Sequence, residues 1–132
     1  MIKIYTDGAT IGNPGPTGLG ALIVEEQHQI QLKQAYPTQV TNHEAEFLAA
    51  IFGFQYLIDH HKNPDSILFY TDSRLLSDAI GKNYTKHYEN LLVELNQLID
   101  SFNLVVTQWI PDKSNHGAHE LALQALHQIS DK

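Results

Sequence analysis

Asn63-Pro64-Asp65-Ser66-Ile67-Leu68-Phe69-Tyr70-Thr71-Asp72-Ser73 is the stretch on which the fold turns. Asn, Pro and Asp break whatever precedes them, and residues 67–70 then form an unbroken apolar run, as expected of a central strand buried on both faces. Asp72 falls just past the carboxyl end of that run. Upstream, Thr41 and Glu44 stand in a capping-box pattern, and Phe47, Leu48, Ile51, Phe54 and Ile58 recur at helical spacing. They predict a long helix from near Asn42 to about His61. Farther upstream, residues 2–6, 19–24 and, more weakly, 29–36 read as three strands of a meander. Gly12-Asn13-Pro14-Gly15-Pro16 reads as a rigid loop between the first two, because proline has no place in a central strand. Downstream, helical segments at 73–80 and 86–101 precede a strand at 104–110 and a last helix after Asn115. An antiparallel opening followed by strands that return after helices makes an α/β mixed sheet covered by helices the expected architecture.

The 132 residues, 42% hydrophobic and 17% charged, suit a single domain over 1–132 without repeats or linkers. No apolar run nears the roughly 20 residues of a membrane span, and Met1-Ile2-Lys3-Ile4-Tyr5-Thr6-Asp7-Gly8 has no leader-like character. With no cysteine, disulfides and thiolate metal sites are excluded, any metal needs oxygen or imidazole ligands, and a cytoplasmic location is expected. Eight Lys and Arg against fifteen Asp and Glu give a net charge of −7, which opposes the broad attraction of typical nucleic-acid binders. Bound divalent cations would offset it locally, so composition leaves the partner open.

Three carboxylates hold privileged places. Asp7 closes the first strand, Glu46 lies in the first turns of the long helix, and Asp72 follows the fourth strand, where open α/β sheets place ligands. Each also has an ordinary reading: a turn for Asp7-Gly8, a helix-dipole partner for Glu46, a helix cap for Asp72.

Read together, Tyr5-Thr6-Asp7-Gly8-Ala9, Gly12-Asn13-Pro14-Gly15-Pro16, Thr41-Asn42-His43-Glu44-Ala45-Glu46 and Tyr70-Thr71-Asp72-Ser73 resemble, in that order, the type 1 ribonuclease H family. The resemblance implies a ribonuclease H-like fold, a five-stranded mixed sheet in order 3-2-1-4-5 with helices on both faces. It implies an endonuclease cutting the RNA strand of RNA·DNA hybrids, with Asp7, Glu46 and Asp72 as catalytic metal ligands. Two Mg²⁺ or Mn²⁺ ions bridging a scissile phosphate would be the cofactors. It places Gly8, Asn13, Thr41, Asn42, Ser73 and Arg74 against sugars and phosphates, although Asn13 and Asn42 equally suit a turn and a helix start. A monomer without membrane contact is expected.

The resemblance has departures. The segment Trp109-Ile110-Pro111-Asp112-Lys113-Ser114-Asn115-His116-Gly117-Ala118-His119-Glu120-Leu121-Ala122 matches the family's last motif, with His119 in place of its fourth acid. Helical spacing sets His119 beside the stripe of Ala118, Leu121, Ala125 and Ile129, so it is expected to face the metal site, with His116, Glu120 and Gln124 pointing away. The loop 111–114 carries no histidine, and no basic insertion lies between Ser77 and Glu94, which supply only Lys82, Lys86 and His87. These departures keep open a catalytically weakened domain that binds nucleic acid or protein. An exonuclease on a related fold suits the acids but not residues 12–16.

Overall fold

The structure is a computed structural model that describes residues 1–60 and 66–130. Five strands form one sheet in the order β3-β2-β1-β4-β5. They are β1 (Ile2–Thr10), β2 (Gly15–Glu25), β3 (His28–Val40), β4 (Ser66–Thr71) and β5 (Leu104–Trp109). The helices are α1 (Asn42–Asp59), α2 (Arg74–Lys82), α3 (Glu89–Ile99) and α4 (His116–Ser130), with a short 3-10 turn at Asp112–Ser114. β1 pairs antiparallel with β2 and parallel with β4, which pairs parallel with β5, so the mixed sheet has the order that the family resemblance implies.

α1 starts where its capping box places it: the Glu44 amide donates to Thr41 Oγ1 (3.1 Å) and the Thr41 amide to Glu44 Oε1 (3.0 Å). It closes at Asp59, with His60 as its C-cap. The expected end at His61 and the breaker Asn63-Pro64-Asp65 lie outside the described residues. α1 packs on β1 and β2 and against α2 and α3. Phe54 of α1 meets Phe69 and Phe102 edge-on at 5.2 and 5.7 Å between ring centres, at the middle of the core.

α4 alone packs on the other face, against β1, β2 and β3. That corrects the reading of β4 as buried on both sides: Ile67 and Phe69 are fully buried, whereas Leu68 and Tyr70 are only half-buried. α4 is too narrow to cover all five strands. The strand limits also shift. Gly15 and Pro16, read as loop, open β2, and β3 extends to Val40 past Pro37. Both prolines fall in an interruption of the ladder, where pairing jumps from Gly15↔Val40 to Thr17↔Tyr36, so neither has to donate to a neighbour. α3 begins at Glu89 rather than at residue 86, and β5 stops at Trp109.

Two glycines set how close α4 lies. A Cβ on Gly18 would come within 2.0 Å of the Ala122 carbonyl oxygen, and one on Gly20 within 2.3 Å of that of Ala118. Gly20 is the β2 partner of Asp7, so this close approach brings the first turns of α4 over β1 at Asp7. Gly20→Ala is therefore expected to destabilise the domain by about 2–3 kcal/mol and to lift α4 from β1. Urea unfolding measures the first effect. The second appears as loss of the native NMR shift of His119, and a wild-type stability would refute the packing argument.

Candidate active site

β1 outruns its parallel neighbour. Its pairing with β4 ends at Tyr5↔Tyr70, while its pairing with β2 continues to Thr10↔Thr17. Asp7 therefore sits within β1 rather than at its end, on the stretch that has lost β4. Thr6 and Gly8, two residues apart, turn their peptide groups to the same edge. There the Gly8 amide donates to Glu46 Oε1 (2.9 Å), and the Thr6 carbonyl accepts from Asn115 Nδ2 (2.9 Å).

Glu46 reaches that edge because α1 lies directly on β1. A Cβ on Gly8 would stand 2.6 Å from the Ala45 carbonyl oxygen, so only glycine permits the approach. Asp72 enters from the residue after β4. Its Oδ2 accepts from Asn115 Nδ2 at 3.2 Å, and its backbone carbonyl accepts from Trp109 Nε1 at 3.1 Å. Carboxylate oxygens of Asp7, Glu46 and Asp72 come within 4.8 Å of one another. Among the described residues they form the one group of three or more acid, histidine or cysteine side chains close enough to share an ion.

His119 touches this group without joining it. Its Nδ1 lies 2.7 Å from Asp7 Oδ2, and its side chain is 48% exposed against 7% for Asp7. The expected direction of His119 holds, whereas that of His116 does not. The helical projection turns His116 away, yet it lines the same cleft because the cleft runs past the N-terminal end of α4. The cleft, about 740 Å³, also takes in His43, Asn42, Ser73, Arg74 and Asp112.

Residues read as substrate contacts are brought near one another, each already engaged in the fold. Asn13 Oδ1 accepts the Asn42 amide (3.0 Å), and the Thr41 and Ser73 hydroxyls cap α1 and α2. The Arg74 guanidinium lies 3.9 Å from the centre of the Trp109 ring. Sequence reading assigned no role to Asn115 or Trp109, although both stand in the last motif. Asp112 was likewise passed over, since a lone acid in a short loop carries no signal of its own.

Burial holds the three carboxylates toward their neutral forms. Burial raises Asp7 above its ordinary value despite the lowering contact of His119. Glu46 is raised well above its own, by burial first and then by the charge of Asp7. Asp72 is pushed up to about 6 by burial and the charge of Asp7, against the hydrogen bond of Asn115; Asp112 adds repulsion. Three crowded oxygen acids that resist ionisation, with one imidazole in contact, fit hard divalent cations, whose charge would reverse the repulsion.

The chain is similar in sequence and in fold to known proteins. The family model described as "Reverse transcriptase-like" matches residues 5–125. The chain is 38% identical over 131 residues to the Enterococcus faecalis protein named "Putative hydrolase EbsB", covering 98% of this chain and 96% of that one. It is 31% identical over 138 residues to ribonuclease HI of Pasteurella multocida, covering 94% and 86%. Matches to other ribonucleases H span about half the length of those relatives. Among solved structures, LC11-RNase H1 in complex with an RNA/DNA hybrid superposes with a TM-score of 0.87 at 25% identity, over 98% of this chain and 99% of that one.

The raised acid at Asp72 has a consequence for stability. Between its ordinary value and about 6 the folded chain holds the proton more tightly than the unfolded chain, so this group's contribution to stability falls as pH rises through that window. Asp72→Asn removes the charge and keeps an oxygen for Asn115. In chelator, its Tm should exceed that of the wild type by a few degrees at about pH 7.5 and by less at about pH 5. Thermal melts at both pH values check this; equal Tm values throughout would count against the electrostatic account.

Proposed function

The chain belongs to the type 1 ribonuclease H family, and we propose that it is an endoribonuclease that hydrolyses the RNA strand of RNA·DNA hybrids with two divalent cations, Mg²⁺ or Mn²⁺. The observation that carries this reading is the convergence of Asp7, Glu46 and Asp72 on one edge of β1, at the floor of an open cleft. Relatives named ribonuclease H and a neighbour solved with an RNA/DNA hybrid support the substrate class.

Asp7, Glu46 and Asp72 would hold the cations, with His119 as a further ligand. When bound, the ions supply Lewis acidity toward the attacking water and the departing sugar oxygen. The chain itself orients and aligns. The Gly8 amide fixes one oxygen of Glu46, and Asn115 fixes one oxygen of Asp72. Asp7 holds the His119 ring at the edge of the group through Nδ1. Arg74, laid flat on Trp109, keeps its N–H groups for a phosphate at the cleft. Gly8, Asn13, Thr41, Asn42 and Ser73 add amide and hydroxyl groups of the kind that read sugar and phosphate rather than base, so selectivity rests on the 2′-hydroxyl and on duplex shape.

The test is cleavage of a labelled hybrid beside an RNA duplex and a DNA duplex, with Mg²⁺ or Mn²⁺. Cutting is expected only in the RNA of the hybrid, with Asp7→Asn and Asp72→Asn reducing it at least about a thousandfold while the fold persists. Hybrid binding without any cutting would instead favour the binding-module reading.

His119 generates a separate expectation. Imidazole suits Mn²⁺ better than Mg²⁺, so cleavage should be faster with Mn²⁺, and His119→Asp should raise the Mg²⁺-supported rate. His119→Ala should keep weaker activity on the three carboxylates. One shared metal preference across all three proteins would remove His119 from the ligand set.

A further inference from the structure

Asp72 follows the last residue of β4, so no ladder hydrogen bond sets its place, yet its position decides whether the three carboxylates can share a cation. Two side chains outside that group hold it. Asn115 is 1% exposed, and its single Nδ2 spans the Thr6 carbonyl at 2.9 Å and Asp72 Oδ2 at 3.2 Å. Trp109 Nε1 donates to the Asp72 backbone carbonyl at 3.1 Å, and Arg74 lies against the indole at 3.9 Å.

Asn115 carries a cost that packing does not explain. Its Oδ1 is buried with no hydrogen-bond partner. Turning the amide over would give Oδ1 no relief, since it would then face two oxygen acceptors and strip both of their donor. An apolar side chain of similar size would spare Oδ1 but leave the Thr6 carbonyl and Asp72 Oδ2 without their donor. The residue is therefore explained by what Nδ2 does: it ties Asp72 to the backbone of β1 one residue before Asp7.

We propose that Asn115 and Trp109 are positioning residues that fix the Asp72 carboxylate relative to Asp7 and so set the affinity of the site for divalent cations. Asn115 engages Oδ2, which leaves Oδ1 as the less occupied oxygen for a cation. Trp109 anchors the main chain from which the side chain extends. This rests on the cation-binding reading of the carboxylate group.

The experiment is Mn²⁺ binding to the metal-free protein without nucleic acid, by calorimetry, for wild type, Asn115→Leu and Trp109→Phe. Leucine fills the site but takes the donor from the Thr6 carbonyl as well as from Asp72, whereas phenylalanine keeps a ring and removes only the donor to the Asp72 carbonyl. Each variant should melt cooperatively and bind Mn²⁺ about ten- to a hundredfold more weakly. In hybrid cleavage, each should lose kcat at low Mn²⁺ and regain it at high Mn²⁺ with KM for the hybrid unchanged, which a merely packing role would not produce. Wild-type affinity in both folded variants overturns the proposal; if Asn115→Leu fails to fold, Trp109→Phe decides alone. A wild type that binds no Mn²⁺ overturns this proposal and the cation site together. Mn²⁺ binding by the wild type without hybrid cleavage would sink the substrate assignment instead, and the affinities of the variants would still judge the positioning claim.

Discussion

The site depends on a mismatch in strand length. β1 continues for several residues beyond its last pair with β4 while still held by β2 on its other side. A strand edge without a neighbour exposes amides and carbonyls that must find partners. The Thr6 carbonyl and the Gly8 amide find them in side chains, Asn115 at the residue before α4 and Glu46 from α1. The same requirement that pairs backbone groups elsewhere in the sheet thus draws a helix from each face to one edge. Asp7 lies between the two groups, and the convergence of acids follows from backbone satisfaction as much as from any attraction among side chains.

That convergence opposes stability. Burial raises all three acids, and repulsion adds to it at Glu46 and Asp72; among the groups that counter this are the Gly8 amide at Glu46, the His119 imidazole at Asp7 and the Asn115 carboxamide at Asp72. The surrounding apolar core, centred on Phe47, Phe54 and Phe69, is what makes such a cluster tolerable. A pocket of strained charge on a well-packed frame is a common arrangement where a fold is shaped for binding rather than for its own stability.

Much of the frame was legible in the sequence because it rests on local signals. The capping box of Thr41 and Glu44 marks the start of α1, helical spacing marks its buried face, and the apolar run at 67–70 marks β4. Asp7, Glu46 and Asp72 stood out through the motifs around them rather than as acids. Features set by distant partners were not legible. The length of β3 and the strand character of Gly15 come from pairing with neighbours, and the half-exposure of Leu68 and Tyr70 comes from the breadth of α4. A helical projection assigns faces but not where a cleft ends, which is why His116 was misdirected. Trp109 and Asn115 act through backbone carbonyls, acceptors that every residue possesses and no motif advertises.

The contacts that complete the site join residues far apart in sequence: Asn115 to Thr6 across 109 positions, His119 to Asp7 across 112. A polypeptide made from its N-terminus exposes Asp7, Glu46 and Asp72 in turn, and Asn115 and His119 only after all three. During synthesis, then, the acids emerge before the helix that steadies them. Any product interrupted before residue 115 would carry the three carboxylates on a sheet whose β1 edge lacks one of its two partners. Closure of the site therefore waits on residues 115–119, and a fragment that retains every acid would still lack the assembled centre.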